Sequence, residues 1–427
     1  PPFGVNARPL GTKNRAHTMA KEVDVLLIGA GVAGVCSANF LQQQGRDVAL
    51  VEKDEICAGS SYGNAGLIVP SHSVPLAEPS VIGQGLRWML DPESPFYIKP
   101  RLDRDLISWL WQFRKASTKR RVQRAMPLLR DMHLESFRLY QSLADELDFA
   151  FGHEGRLLLC KTADGLRHVR EEAELMQSVG LQVEMLDATG VKKLDANVAF
   201  DTIGGAFYSQ DAHLDPALFV RGLAARCVER GMQLREKTEV LGFQVEGRQI
   251  KLVETTRGDF AANEIVLCSG SWSPGLVADL DLSLPVQPAK GYSVTTRRPD
   301  RCPQIPFMLV EAKIAATPMG DKLRFAGTLE LAGMDLSINR RRVAALMKAV
   351  PDYVPAWGQG ALELVEVWRG LRPCSPDGLP YIGRAGAYDN LTIATGHAMI
   401  GVSLGPVTGA VTARIVQGEE AGFDMSL

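Results

Sequence analysis

An α/β fold built around a dinucleotide-binding unit of the Rossmann kind is predicted by three observations near the start of the chain. The first is a short β-branched and Leu-rich run, Val23–Ile28. The second is the turn Gly29-Ala30-Gly31-Val32-Ala33-Gly34, which opens directly into an apolar helical pattern through Leu41. The third is a further strand, Asp47–Val51, ending at Glu52, which stands 23 residues after Gly29 (52 minus 29). Strand, glycine turn, helix and second-strand acid together form a dinucleotide fingerprint. Gly29 makes the tight turn, Gly31 lets the backbone approach a pyrophosphate, and Gly34 lets the helix pack closely on the strand. The helix N-terminus supplies amide donors and partial positive charge. Glu52 is placed to bond a ribose hydroxyl, and its charge disfavours a 2′-phosphate. The fingerprint serves FAD and NAD alike.

The elements that follow extend this reading. Gly59–Gly66 is a second small-residue loop, either meeting another part of the ligand through backbone amides or simply a flexible connection. From Gln84 to about Leu186 the composition shifts to longer charged helices, with apolar spacing near 3.6 at Leu106–Phe113 and Met126–Leu147. The basic run Arg114–Arg124 reads as a solvated face rather than a nucleic-acid or lipid site, and Trp109 and Trp111 as core or interface anchors. Leu157–Cys160 reads as a strand, and Leu166–Val179 as an amphipathic helix ended by Gly180. Gly204–Tyr208 leads into Asp215-Pro216, a helix start with Pro in its first turn, and a helix to about Arg230. Short strands are predicted at Val240–Val245, Ile250–Glu254 and Glu264–Cys268, the last closing on the turn Ser269-Gly270-Ser271-Trp272 where an open sheet would again meet its ligand. Further strands are expected at Val286–Thr295, Phe307–Ala316 and Leu323–Leu331, then a basic surface helix over Ser337–Val350. Leu391–Ala413 carries no formal charge, but its interrupting Gly, Thr, Ser, His397 and Pro406 suit a strand, glycine-rich loop and helix better than a membrane span.

Composition narrows the class. The chain has 427 residues, 46% hydrophobic and 22% charged, with a formal charge of −2, which disfavours disorder and a nucleic-acid coat. Glycine is abundant at 41 residues, which points to backbone positions that need left-handed torsions or close approach to a ligand. The seven cysteines are scattered without Cys-x-x-Cys or zinc spacing and read as reduced thiols of a cytoplasmic chain, with no metal site. Residues 1–20 read as a tag or disordered extension, with Met19 as the expected native start.

Four motifs carry a family resemblance running from about Glu22 to Val416: Gly29–Gly34; Ser60–Leu67 (SSYGNAGL); Lys290-Gly291-Tyr292-Ser293-Val294; and Trp368–Gly383 (WRGLRPCSPDGLPYIG) with Thr395–Gly401 (TGHAMIG). The chain resembles FAD-dependent D-amino-acid dehydrogenases, within the D-amino-acid oxidase and glycine oxidase superfamily. The resemblance implies an FAD-binding domain of residues 21–80, 197–285 and 361–427, and a discontinuous α+β substrate-binding domain of residues 81–196 and 286–360. It also implies FAD contacts from Gly29, Ala30, Gly31, Ala33, Gly34, Glu52 and Lys53, and from the loop residues Ser60, Ser61, Asn64, Ala65, Gly66 and Leu67. Val240, Ser269, Gly270, Trp272 and Gly370 join them, as do His397, Ile400, Gly401, Val402 and Ser403 near the flavin ring. Arg372 is implied as the clamp on a substrate carboxylate, which suits a fixed two-donor fork. Tyr292 would approach the same carboxylate, and His72 would lie near the substrate mouth. Cys374 departs from the residue often found in relatives, which bears on side-chain fit around the ligand.

Each of these has a structural alternative: Arg372 as a domain-bridging ion pair, Tyr292 as a packed strand aromatic, His397 as a turn residue bonded to backbone. The implied reaction is oxidation of a D-amino acid or cyclic imino acid such as D-proline or D-hydroxyproline at the Cα–N bond, by hydride transfer to FAD. That chemistry rests on positioning and needs no side-chain base. The electron acceptor would be a quinone or dye, or dioxygen in a glycine or sarcosine oxidase-like enzyme. An NAD-dependent dehydrogenase and a non-catalytic FAD-binding subunit stand as rivals, Arg372 and Tyr292 together arguing against the last. The expected partner is a small amino-acid substrate, without nucleic acid, and the resemblance allows at most a peripheral association with the inner membrane face.

Overall fold

A computed structural model describes residues 20–78, 94–358 and 360–425. Its first sheet is centred on the strand Lys21–Ile28, which runs parallel to Val48–Val51 on one side and Phe260–Leu267 on the other. Gln233–Arg235 continues the parallel order beyond Val48–Val51, and Leu391–Thr395 beyond Phe260–Leu267. The central strands are buried on both faces, as a parallel sheet sandwiched by other layers requires. Val25 and Leu27 face the helices Val32–Gln43 and Pro216–Glu229, while Leu26 and Ile28 pack with Ile250, Phe260 and Val277. Parallel order has a functional consequence. It brings the carboxyl ends of four strands, and with them Gly29, Glu52, Ser269 and Gly396, to one edge, where an open α/β sheet presents its ligand crevice.

A second, nine-stranded sheet runs from the edge strand Leu364–Cys374 through Gln287–Arg297, Lys322–Leu331 and Ile314–Met319 to Phe307–Leu309, Arg156–Cys160, Gly204–Tyr208 and Glu184–Asp187. Phe96–Ile98 pairs with Lys322–Leu331. Leu157, Phe307, Phe325 and Trp357 lie in the core on one side of this sheet. The helix Arg104–Ala116 sends Trp109 to the other side beside Ala289, Leu331 and Cys374.

Several sequence expectations are corrected here. Gly204–Tyr208 and Leu364–Cys374, assigned with the FAD-binding residues, are strands of the second sheet, because Gly204–Tyr208 pairs with Arg156–Cys160 and Leu364–Cys374 with Gln287–Arg297. The expected strand Phe307–Ala316 is a hairpin, reversing at Lys313 with φ 56°. The helix Lys119–Ala144, assigned to the substrate domain, buries Tyr140 and Leu143 in the first sheet's core and sets Leu129 and Met132 against Val407 and Val411 of the helix Gly405–Val416. The basic run Arg114–Arg124 straddles two helix ends, and the helix expected over Ser337–Val350 is Arg340–Lys348, capped by Asn339. The boundary expected at residues 80 and 81, the start of the helical stretch at residue 84, and the extension before residue 20 lie outside the described residues. Among those residues no helix is long and apolar enough to cross a membrane.

Candidate active site

A cleft of about 430 Å³ opens between the carboxyl edge of the first sheet and the edge strand Leu364–Cys374. Its first wall is the glycine turn. Gly29 has φ 109°, and a Cβ there would lie 2.7 Å from the Cys268 carbonyl oxygen, so both torsion and space demand glycine. A Cβ on Gly34 would sit 1.9 Å from the Gly29 carbonyl oxygen, the close helix-on-strand approach that the motif requires. At Gly31 a Cβ would meet only Ser61 Oγ, at an ordinary 3.4 Å, so packing does not demand glycine there. Gly31 instead keeps the wall of the cleft open. The Val32 amide, at the helix N-terminus, donates to Ser61 Oγ at 3.0 Å, which docks the second glycine loop on the first.

Glu52 stands at one end. Its Oε2 accepts from the Ala30 amide at 2.8 Å and its Oε1 from the Asp54 amide at 3.0 Å, so the carboxylate fixes the turn while keeping lone pairs for a ligand hydroxyl. Lys53 Nζ lies 4.3 Å above the Trp272 ring. Val240, Ser269 and Gly270 complete this end with Thr238 and Glu239, which sequence reasoning missed. Both follow the short strand Gln233–Arg235, whose three residues leave no periodic signal.

At the other end the cleft is bounded by Gly370, Arg372, His397, Gly401 and Val402. Ser60 Oγ and Ser271 Oγ both donate to the Leu371 carbonyl, tying the edge strand to the dinucleotide unit. Arg372 Nη1 donates to the Thr328 carbonyl at 2.9 Å, and Arg372 forms no ion pair with any described residue. Burial works against its charge and lowers its pKa. The domain-bridging ion pair is therefore not the arrangement found among the described residues. His397 is buried, its Nε2 2.9 Å from Thr408 Oγ1, and desolvation pulls its pKa down to about 4, so the ring is neutral at neutral pH.

Other sequence-assigned residues support the cleft without lining it. Ala30 holds Glu52, as above. Gly66 has φ 70° and donates its amide to Asn64 Oδ1, while Asn64, itself at the cleft wall with Ala33, donates to the Met399 carbonyl. Ala65 and Leu67 stand outside the lining, Leu67 pairing with His213. Ile400 carries the turn whose carbonyl accepts from Leu404. Ser403 faces inward, where its Oγ accepts from the Val69 amide and meets His133 Nδ1 at 2.8 Å. His72 is likewise away from the cleft, its pKa lowered to about 4 by burial and by Arg156.

Tyr292 is the clear misplacement. Strand alternation puts Ala289, Gly291 and Ser293 on the Arg372 face and Lys290 and Tyr292 on the opposite one. The Arg372 guanidinium occupies the space over Gly291, where a Cβ would lie 1.8 Å from Nη1. The Tyr292 hydroxyl instead accepts from the Asn339 amide at 3.1 Å, and Lys290 Nζ donates to Asp335 and to the Ser337 carbonyl. Together they anchor the loop that brings Leu336 to the cleft rim, where Arg369 Nε donates to the Leu336 carbonyl. Cys374 is a packing residue, fully buried beside Trp109 with its thiol pushed up to about 12 by burial. All seven cysteines are free and buried.

The family model described as FAD dependent oxidoreductase matches residues 24–415, and the chain belongs to that family. D-amino acid dehydrogenase of Granulibacter bethesdensis is 32% identical over 415 residues, covering 94% of this chain and 97% of the relative. D-amino acid dehydrogenase of Methylobacterium nodulans is 34% identical over 407 residues, with 92% and 95% covered. Among solved structures, glycine oxidase from Geobacillus kaustophilus superposes with a TM-score of 0.77 at 24% identity, covering 95% of this chain and 98% of that one. L-proline dehydrogenase from P. horikoshii superposes with a TM-score of 0.74 at 19% identity, covering 96% of each. These two likenesses establish the fold. The chain is an enzyme that uses FAD, which resolves the choice left open by the glycine fingerprint. Its residues fit that cofactor: an open Gly31 wall, a free-sided carboxylate at Glu52, and a cleft continuing past both glycine loops to Arg372.

Proposed function

We propose that this enzyme oxidises a D-amino acid or a cyclic imino acid, such as D-proline or D-hydroxyproline, at the Cα–N bond. The observation that carries this reading is Arg372, a buried guanidinium at the cleft wall with one carbonyl partner and no carboxylate paired to it among the described residues. A desolvated cation of that kind is a binding site for an anion, and the planar fork matches a substrate carboxylate. The D-amino acid dehydrogenase names of relatives near 33% identity support the same substrate class. When bound, FAD supplies the two-electron sink for a hydride.

The protein's own contribution is placement and a dry site. Arg372 holds the carboxylate and thereby directs the Cα–H. His397 keeps Thr408 and the turn before the helix Gly405–Val416 in register and, being neutral, adds no charge beside the ring site. Loss of the hydride and of an N–H proton leaves an imine, which water hydrolyses to a 2-oxo acid and ammonia when the substrate is acyclic. The electrons pass to an external acceptor, for which a quinone or dye is proposed, with the enzyme working in the cytoplasm or peripherally at the inner membrane face.

An anaerobic titration tests this reading. Purified holoenzyme is mixed with D- and L-amino acids, proline and hydroxyproline isomers, glycine and sarcosine, and flavin absorbance is followed. Bleaching by a D-substrate supports the proposal. Bleaching only by glycine or sarcosine, or by none, overturns it, and peroxide formed in step with substrate replaces the dehydrogenase with an oxidase.

A further inference from the structure

The loop Ser60–Leu67 contributes Ser60, Ser61 and Asn64 to the cleft, yet little of its own secondary structure holds it in place. Its backbone is gripped from the second sheet. Arg324, on the strand Lys322–Leu331, is 4% exposed and stands outside the cleft lining. Its Nη1 donates to two carbonyls of the loop, Tyr62 at 2.8 Å and Asn64 at 3.0 Å, while Nε donates to Thr295 Oγ1 at 3.1 Å on the neighbouring strand. The same guanidinium lies 5.9 Å from the Tyr62 ring centroid. Trp368 presses on the loop between those two carbonyls: a Cβ on Gly63 would fall 2.0 Å from its ring.

Arginine buried against neutral oxygens, here two carbonyls and a hydroxyl, is an expensive arrangement, because a desolvated charge is ordinarily matched by a carboxylate. Asp215 and Glu366 attract Arg324 electrostatically, but no described carboxylate forms an ion pair with it. Peptide planarity gives the arrangement a purpose. The Tyr62 carbonyl and the Gly63 amide belong to one trans peptide unit, as do the Asn64 carbonyl and the Ala65 amide, and within each unit N–H and C=O point in opposite directions. Fixing both carbonyls therefore fixes the peptide planes on either side of the Gly63-Asn64 segment, and Asn64 is at the cleft wall.

We propose that Arg324 is a positioning residue for FAD: it acts through the Tyr62 and Asn64 carbonyls to hold the second glycine loop, and with it Asn64 at the cleft wall, in the orientation the cofactor needs. The inference uses the established cofactor and does not depend on which amine is oxidised, so it stands or falls separately from the substrate proposal.

The test compares Arg324→Met, Arg324→Lys and Thr295→Val, the last removing only the Nε partner. Apoprotein of each is titrated with FAD by flavin fluorescence, the band shape of the bound flavin is recorded, and the melting temperature of the apoprotein is measured. Arg324→Met is expected to weaken FAD binding by roughly tenfold or more, with broadened visible bands, while the apoprotein melts close to wild type. Arg324→Lys, which restores a cation without the fork, recovers part of the affinity, and Thr295→Val stays within about twofold of wild type. The proposal is overturned if Arg324→Met binds FAD within about twofold of wild type with unchanged bands. It is equally overturned if the apoprotein destabilisation is large enough to account for the lost affinity. Should Arg324→Met not fold, Arg324→Lys alone carries the same comparison.

Discussion

Thr328 presents its carbonyl to Arg372 Nη1 at 2.9 Å from a backbone held at φ 64°, a left-handed conformation that a β-branched residue rarely adopts. The torsion coincides with a register shift between Lys290 and Tyr292 on the paired strand, and Thr328 Oγ1 accepts from the Tyr292 amide at 3.3 Å across it. Without the bulge, the carbonyl would belong to the ladder and could not turn toward the guanidinium. Strain of about 1–3 kcal/mol is thus placed where it aims Arg372, the proposed substrate clamp. Thr328→Gly is expected to change stability little, since relief of the torsion offsets the lost hydroxyl bond, while KM rises several-fold. Thr328→Val keeps the strain and loses the bond, and is expected to lower unfolding free energy by about 1 kcal/mol in urea titrations. A Thr328→Gly enzyme with wild-type KM would show that Arg372 needs no such aim.

Arg372 itself gives the sharpest kinetic expectation. Two charge-assisted hydrogen bonds to a carboxylate are worth roughly 1.5–3 kcal/mol each, so Arg372→Leu should lower kcat/KM by about 10²–10⁴-fold. FAD should remain bound, because Glu52 and the glycine turn stand at the far end of the cleft. Arg372→Lys should recover only part of the loss, since a point charge replaces the fork. Steady-state kinetics beside the flavin absorbance of each variant decide the matter, and near-normal turnover of Arg372→Leu would remove Arg372 from the clamp.

The dinucleotide half of the site was legible because its physics is local. Gly29, Gly34 and Glu52 act within one strand-turn-helix-strand unit, and their spacing alone locates them. The substrate half was less so. Arg372 was reached through a motif, but Tyr292 was put on the wrong face because the edge strand Leu364–Cys374 was not recognised as its partner. The register of that pair decides which side chains meet. Arg324 carries no motif, and its carbonyl partners lie about 260 residues away. Gly405 and Gly409 went unremarked for a related reason. A Cβ on Gly409 would sit 2.5 Å from the Cys36 backbone and one on Gly405 2.4 Å from Val32, so their spacing reflects a helix pair that only the fold reveals.

Glu52 fixes the glycine turn and is proposed to accept from a ribose hydroxyl, and a change that keeps its shape but removes its charge probes both. In Glu52→Gln one oxygen becomes a donor that opposes either the Ala30 or the Asp54 amide, both of which now donate to the carboxylate. The turn loses a charge-assisted bond, and the proposed ribose contact loses one of its two acceptor oxygens. FAD affinity, read by fluorescence titration of apoprotein, should fall roughly 10–100-fold. An unchanged affinity would mean that the acid serves the turn alone.

Acid should unfold this protein over a defined window. His72, His213 and His397 are held near 4 and His133 near 3, with burial the leading cause in each. In the unfolded chain they titrate near the ordinary value of about 6.5. Between about pH 6.5 and 4 the unfolded state therefore binds more protons, so stability rises with pH, is complete above the unfolded value and drains away as pH falls. Each histidine fully in that window contributes a slope of about 1.4 kcal/mol per pH unit. His397→Gln removes one such group, so its urea-derived unfolding free energy should fall less steeply between about pH 6 and 4.5 than that of wild type. Parallel slopes for the two proteins would mean that the His397 ring reaches solvent and is protonated in the folded state.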